Sequence, residues 1–266
     1  MSDLLAAIRQ AKVFDLGQPF FPGMPHYPVH PPFIFGLTKQ HGDFVSAEGV
    51  SSAADAIALG THTGTHIDAL CHFSCGGKLH GGMEASVVQS YAGGIREHSI
   101  DTVAPILRRG LLLDIAGQAG MESLPANFTI TPEQLDAAVH AAQVKIERGD
   151  VVLLRTGWAR YWNDAVRYIT GGSGAGPAGP GPALEAAHWL SARGIFAAGS
   201  DTVAFEKVPS QMPVHVHLLV ESGIHIIENL NLDDLARQRI YEFVFVAAPL
   251  SMRGATGSPI RPLALV

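Results

Sequence analysis

The segment His62-Thr63-Gly64-Thr65-His66-Ile67-Asp68-Ala69-Leu70-Cys71-His72 puts three histidines and one aspartate within eleven residues, spaced His-x3-His-x-Asp-x3-His. Apolar Ala56-Ile57-Ala58-Leu59 leads into it and Ala69-Leu70 lies inside it. A fold that takes this segment into its interior must supply partners for four polar side chains, because burying them unpaired is costly. Imidazole nitrogen and carboxylate oxygen are the usual ligands of a catalytic divalent metal. Three protein ligands leave a coordination position open for water. Gly64 and the two threonines beside it disfavour a regular helix. In an extended segment His66 and Asp68 point to the same side, and His62 joins them only through a bend of the kind Gly64 permits. His72 is then left over, near the metal and free for proton transfer. With 13 histidines in 266 residues, a purely structural cluster is the competing interpretation.

Hydrophobic residues make up 47% of the chain, enough for a large core, and one domain is expected over residues 1–266. No apolar run reaches the ~18 residues that span a bilayer. The first residues, Met1-Ser2-Asp3-Leu4-Leu5-Ala6-Ala7-Ile8, lack the basic stretch and long apolar core of a signal peptide. Cys71 and Cys75 form no disulfide framework and fit a reducing cytoplasm. A net charge of −6 and the lack of basic blocks with interleaved aromatics argue against a nucleic-acid partner. A cytoplasmic protein acting on a small molecule, with no membrane and no nucleic-acid partner, is the expectation.

Residues 12–16 read as a first strand. The Pro-rich stretch from Gln18 to Phe33 forbids helix and sheet interior. It reads as an ordered loop that offers Phe20, Phe21, His26 and Phe33 as the wall of a substrate pocket. Residues 54–60 read as a strand leading into the histidine cluster. Leu111-Leu112-Leu113-Asp114 and Val151-Val152-Leu153-Leu154 read as buried strands. Thr131-Pro132-Glu133-Gln134 carries the N-cap, first-turn proline and capping box of a helix expected to run to about Ile146. Residues 171–182 are low-complexity and Gly-rich, and read as a flexible loop. A helix from Pro182 to Arg193 with Gly194 at its stop, a strand 195–198, a helix around His215–Ser222, a strand 224–227 and a last strand 240–247 follow. The class is α/β or α+β. Ser200 or Asp201, at a strand's C-terminal end, are candidates to orient a ligand.

His62-x-Gly64-Thr65-His66-x-Asp68-x3-His72 resembles the signature of the cyclase family of metal-dependent hydrolases, which includes kynurenine formamidases, isatin hydrolases and trans-dienelactone hydrolases. The resemblance extends through Asp15-Leu16-x-Gln18-Pro19, Gly149-Asp150-Val151-Val152-Leu153-Leu154-Arg155-Thr156-Gly157-Trp158, and Pro213-Val214-His215 with Gly223-Ile224-His225-Ile226-Ile227-Glu228-Asn229-Leu230. It departs at Leu70, where many members carry proline. The resemblance implies an α/β fold with a swivelling β/β/α core and a homodimer or homotetramer. It implies His62, His66 and Asp68 as ligands of zinc or manganese, one or two ions, and His72 as general acid/base. In the formamidase branch His215 and Glu228 would complete a second metal site. In the isatin hydrolase branch the downstream histidine would help hold the substrate. His217 lies two residues beyond His215 and competes for that alignment.

The chemistry expected is attack of metal-activated water on an amide or lactone carbonyl, with His72 carrying the proton to the leaving group. The aromatic loop, with no Lys or Arg cluster, suits a flat cyclic amide or lactone, and an N-formyl aromatic amine is the alternative substrate. Two other classes compete. A non-haem iron oxygenase would use a 2-His-1-carboxylate set, but leaves His62 unexplained. A metal-binding protein without catalysis would keep the fold and lose turnover.

Overall fold

The computed structural model describes residues 2–266. Nine strands form one continuous sheet in the order Val13–Asp15, Leu263–Leu265, Glu242–Ala247, Ile106–Asp114, Val151–Arg155, Ala197–Ser200, His225–Glu228, His66–Asp68 and Gly257–Pro259. The four central strands from Ile106–Asp114 to His225–Glu228 run parallel, and the pairs on either side of them are antiparallel.

The apolar runs explain the centre. Val151 and Leu153 join one buried cluster, while Val152 and Leu154 join another on the opposite face. A strand covered on both faces reads as a continuous hydrophobic run, as Val151–Leu154 does. The helices Pro132–Ala142 and Leu184–Ser191 cover one face through Leu135, Ala138, Ala186, Ala187 and Leu190. A third cluster gathers Met24 and Phe33 of the Pro-rich loop around Trp158, Trp162 and Tyr168.

Several boundaries differ from the sequence-based expectation. The helix opening at Pro132 has its capping box, with the Thr131 N–H donating to Gln134 Oε1 at 2.7 Å, but ends at Ala142 because Gln143 turns left-handed at φ 55°. The helix expected from Pro182 starts at Leu184, since Gly181–Pro182 closes the Gly-rich loop by pairing with Thr129–Ile130. The strand Ala54–Ala58 does not enter the main sheet. It pairs with Ile34–Lys39 as a separate hairpin. Glu242–Ala247 is not the last strand, for Gly257–Pro259 and Leu263–Leu265 follow it. Gly257–Pro259 is an outer strand, a position where a proline within a sheet is tolerated. Among the described residues no helix is long and apolar enough to cross a membrane.

Candidate metal centre

Gly64 makes the turn on which the site depends. Its φ is +75°, and a Cβ placed there would lie 2.2 Å from Cζ of Phe20. Glycine alone satisfies both conditions. The turn brings His62 back onto the His66–Asp68 strand, with its Nδ1 2.7 Å from Asp68 Oδ1 and its Nε2 2.8 Å from Thr256 Oγ1. Thr65 fixes the same turn by donating its hydroxyl to Asn229 O at 2.6 Å.

Strand alternation then sets the site's floor. His66 and Asp68 share a face while Ile67 packs into the core behind them. The antiparallel register pairs His66 with Glu228, so a second carboxylate joins from the neighbouring strand. His66 Nδ1 donates to Gly64 O at 2.7 Å, which turns Nε2 toward Asp68 Oδ1 at 3.5 Å and Glu228 Oε2 at 3.4 Å. His215 comes from the short helical turn Pro213–His215. Its Nδ1 donates to Glu206 Oε1 at 2.7 Å, leaving Nε2 3.2 Å from Glu228 Oε1 and 4.0 Å from Asp68 Oδ2. A carboxylate behind a histidine in this way fixes the tautomer and raises ligand basicity.

Asp68 thus belongs to two donor sets, one with His62 and His72 and one with His215 and Glu228. Its Oδ2 is buried and has no hydrogen-bond partner. Asp68, Glu206 and Glu228 are all buried, a concentration of negative charge that calls for positive charge between them. The protonation equilibria show the same demand. Burial alone would lower His215, but hydrogen bonds to Glu206 and Glu228 and the nearby Asp68 outweigh it and push the imidazole up to about 10. Burial would raise Asp68, yet His72, His62 and His66 around it hold it well below the usual carboxylate range. Glu228 is raised, by burial first and by Asp68. A divalent cation among these nitrogens and oxygens meets that demand and gives Asp68 Oδ2 its missing partner. The residues present fit such an ion, and a mixed imidazole–carboxylate set suits both Zn²⁺ and Mn²⁺.

His62 sits closer than a fellow ligand would. Ligands 2.0–2.1 Å from one tetrahedral ion stand about 3.3 Å apart, whereas its 2.7 Å to Asp68 Oδ1 is a hydrogen-bond separation. His72 lies outside this hydrogen-bonded set. Its ring stacks on His62 at 3.7 Å and meets Phe73 edge-on at 4.9 Å. Burial pushes it down to about 3, with the neighbouring histidines adding to that and Asp68 opposing. It is therefore neutral near pH 7.

A cavity of about 260 Å³ opens onto these groups. Tyr27, Val29 and His30 of the Pro-rich loop line it, with Phe73, Val203, Ala204 and Met212. The four loop residues expected as the substrate wall are placed elsewhere. Phe20 packs over Gly64 and edge-on against Phe33 at 5.7 Å, and neither these two nor Phe21 and His26 line the cavity. The loop does form a wall, through its middle and not its ends. Ser200 bonds Thr202, and Asp201 anchors Thr156 and the Trp158 N–H, so both stabilise a strand end beside the site and touch none of its donor groups. His217 faces away, bonded to Ser191 and Glu221.

Glu206 is the residue that sequence reasoning missed. A lone carboxylate after Val203-Ala204-Phe205 was the available signal, since a carboxylate in an apolar run needs a buried partner.

The Cyclase family model matches residues 14–207. An isatin hydrolase of Roseibium aggregatum is 26% identical over 268 residues, covering 97% of this chain and 92% of the relative. A kynurenine formamidase of Bacillus cereus is 24% identical, covering 96% and 97%. Among solved structures, one described as a novel cyclase superposes with a TM-score of 0.87 at 30% identity, covering 99% of this chain and 92% of that one. Isatin hydrolase A from Ralstonia solanacearum superposes at 0.77 and 25%, covering 100% and 96%.

Proposed function

Because this chain belongs to the Cyclase family, and because its buried His and carboxylate groups converge on an unpartnered Asp68 oxygen, we propose that it is a metal-dependent hydrolase opening a cyclic amide or lactone. His66, Asp68, His215 and Glu228 would hold the ion, and His62 would join them by giving up its hydrogen bond to Asp68. The convergence at Asp68 is the observation that carries the reading.

The bound divalent ion supplies an acidified water and a polarised carbonyl. The chain supplies the rest. His72, neutral and next to the metal ligands, takes the proton from the attacking water. It delivers that proton to the leaving nitrogen or oxygen as the carbonyl C–N or C–O bond breaks, giving an amine or alcohol and a carboxylic acid, whose remaining proton is released to solvent to leave the carboxylate. Glu206 holds His215 in one tautomer. The apolar walls at Tyr27, Phe73, Val203 and Met212 suit a flat, uncharged ring. No Lys or Arg lines this cavity, which disfavours phosphorylated substrates.

Kynurenine formamidase relatives at similar identity and coverage support a second reading, cleavage of an N-formyl aromatic amine. A side-by-side assay of isatin and N-formylkynurenine with matched metal separates the two. The proposal expects higher kcat/KM on the ring. Formamide cleavage faster by ~tenfold, about 1.4 kcal/mol of transition-state stabilisation, would reverse it.

The assembly expected of this chain is a homodimer or homotetramer, and the hairpin Ile34–Lys39/Ala54–Ala58 supports contact with a second copy. Nearly every residue of both strands is exposed, including Ile34, Phe35, Leu37 and Ile57. A two-stranded ribbon is marginal alone and gains from a partner. Light scattering should give a multiple of the 28.2 kDa chain, and Phe35→Asp with Ile57→Asp should return it to the monomer.

A further inference from the structure

A second cavity of about 260 Å³ opens near the metal centre, with Leu70, His98, Arg108, Phe196 and His225 among its lining. It shares none of its lining with the substrate cavity. We propose that it is a separate binding site for a small carboxylate bearing a neighbouring N–H or O–H group, the chemical form of a ring-opened product.

Three side chains carry this. Arg108 sits over the Phe196 ring, its guanidinium carbon 4.0 Å from the centroid, and donates one bond, to Gly149 O at 3.3 Å. Among the described residues it makes no ion pair, and no Asp or Glu lines the cavity. A planar guanidinium held against an aromatic ring with free N–H groups is a carboxylate receptor. His225 is buried and donates Nδ1–H to the backbone carbonyl of Asp68 at 2.8 Å. That bond fixes the tautomer and leaves Nε2 as an acceptor. His98 donates Nε2–H to His80 O at 3.1 Å, which leaves Nδ1 as an acceptor. The cavity is therefore lined by one cationic donor and two imidazoles, each with one nitrogen engaged by a backbone carbonyl and the other without a hydrogen bond. A plain anion satisfies only the first. A molecule with a carboxylate and an adjacent amine or hydroxyl satisfies both kinds.

Hydrolysis of a cyclic amide or lactone creates that pair of groups, which the closed ring lacks. The ligand's identity rests on the ring-opening reading above, but the site does not. His225 also joins the cavity to Asp68, so occupancy bears on the strand that carries a proposed metal ligand. Partial, non-competitive inhibition by product is the expected consequence.

Calorimetric titration with 2-aminobenzoate, benzoate and aniline tests the site without turnover. His66→Ala, which disables the metal centre, should still bind 2-aminobenzoate. Adding Arg108→Gln should weaken that binding at least tenfold. Benzoate and aniline should each bind at least fivefold more weakly than 2-aminobenzoate. Absence of binding to His66→Ala, no effect of Arg108→Gln, or benzoate binding as well as 2-aminobenzoate would overturn the proposal. Should His66→Ala fail to fold, stoichiometry decides: a fall from two sites to one between the metal-loaded wild type and Arg108→Gln supports it, and an unchanged count refutes it. A chain that binds 2-aminobenzoate through Arg108 yet fails to open isatin would keep this site and lose only the reading of its activity.

Discussion

The rings of His62 and His72 stack with centroids 3.7 Å apart and planes 21° from parallel. His62 is bonded through both nitrogens, to Asp68 and Thr256, while the His72 side chain has no hydrogen-bond partner among the described residues. One ring of the stack is anchored and the other is free to exchange a proton. His72→Ala should therefore retain the metal and lose roughly 10²–10⁴ in kcat, the usual contribution of a general acid/base. Loss of metal from the purified variant, by elemental analysis, would make His72 a ligand.

The pH profile follows from the same environment. Burial drives His72 down to about 3, and the base is the neutral form. Its activity is lost only as pH falls through that lowered pKa, so the His72 limb should lie well below the unperturbed ~6.5. A profile of kcat/KM, with metal content checked at each pH, tests this. An acid limb at or above 6.5 at constant metal content would contradict it.

His215 and His217 should part company in mutagenesis. His215 is bonded to Glu206 and Glu228 within the site, while His217 bonds Ser191 and Glu221 outside it. His215→Ala should cost at least 10²-fold in kcat/KM, since it leaves Glu206 and Glu228 buried without their shared partner. His217→Ala should change kcat/KM less than threefold. Steady-state kinetics in the reverse order would move the functional histidine to His217.

Gly64→Ala tests the turn. The new methyl group meets the Phe20 ring at 2.2 Å, and the backbone stays at φ +75°. Strain of this kind costs about 1–3 kcal/mol, or roughly 2–4 °C in Tm per kcal/mol for a chain of this size. Thermal unfolding unchanged within 1 °C would show that the turn relaxes without cost.

How much of this could be read from the sequence depended on how local each feature is. The shared face of His66 and Asp68 follows from strand alternation, and the bend at Gly64 from glycine's freedom, so the core of the site was legible. The cap at Thr131 was legible for the same reason. The pairing of Glu228 with His66 joins residues 162 positions apart, and only the family resemblance suggested it. Glu206 had no such help. It lies in a turn-rich stretch without periodicity, and its role depends on where His215 lands. The Pro-rich loop was recognised as a wall, but prolines fix the backbone without saying which side chains face inward. Tyr27 and His30 line the cavity, while Phe20 is taken up in holding Gly64. The hairpin strand Ala54–Ala58 shows the complementary limit. Its residues predict a strand, but not that it pairs outside the main sheet.

The proposed divalent ion at Asp68 would make this chain a hydrolase. Chelated protein should be inactive on isatin. Activity should return in proportion to added Zn²⁺ or Mn²⁺ and saturate at one or two ions per chain. Asp68→Asn, which removes the carboxylate shared by both donor sets, should neither bind the ion tightly nor recover. Full turnover by wild type holding less than a tenth of an ion per chain, roughly the level at which a metal could not account for the rate, would contradict the account.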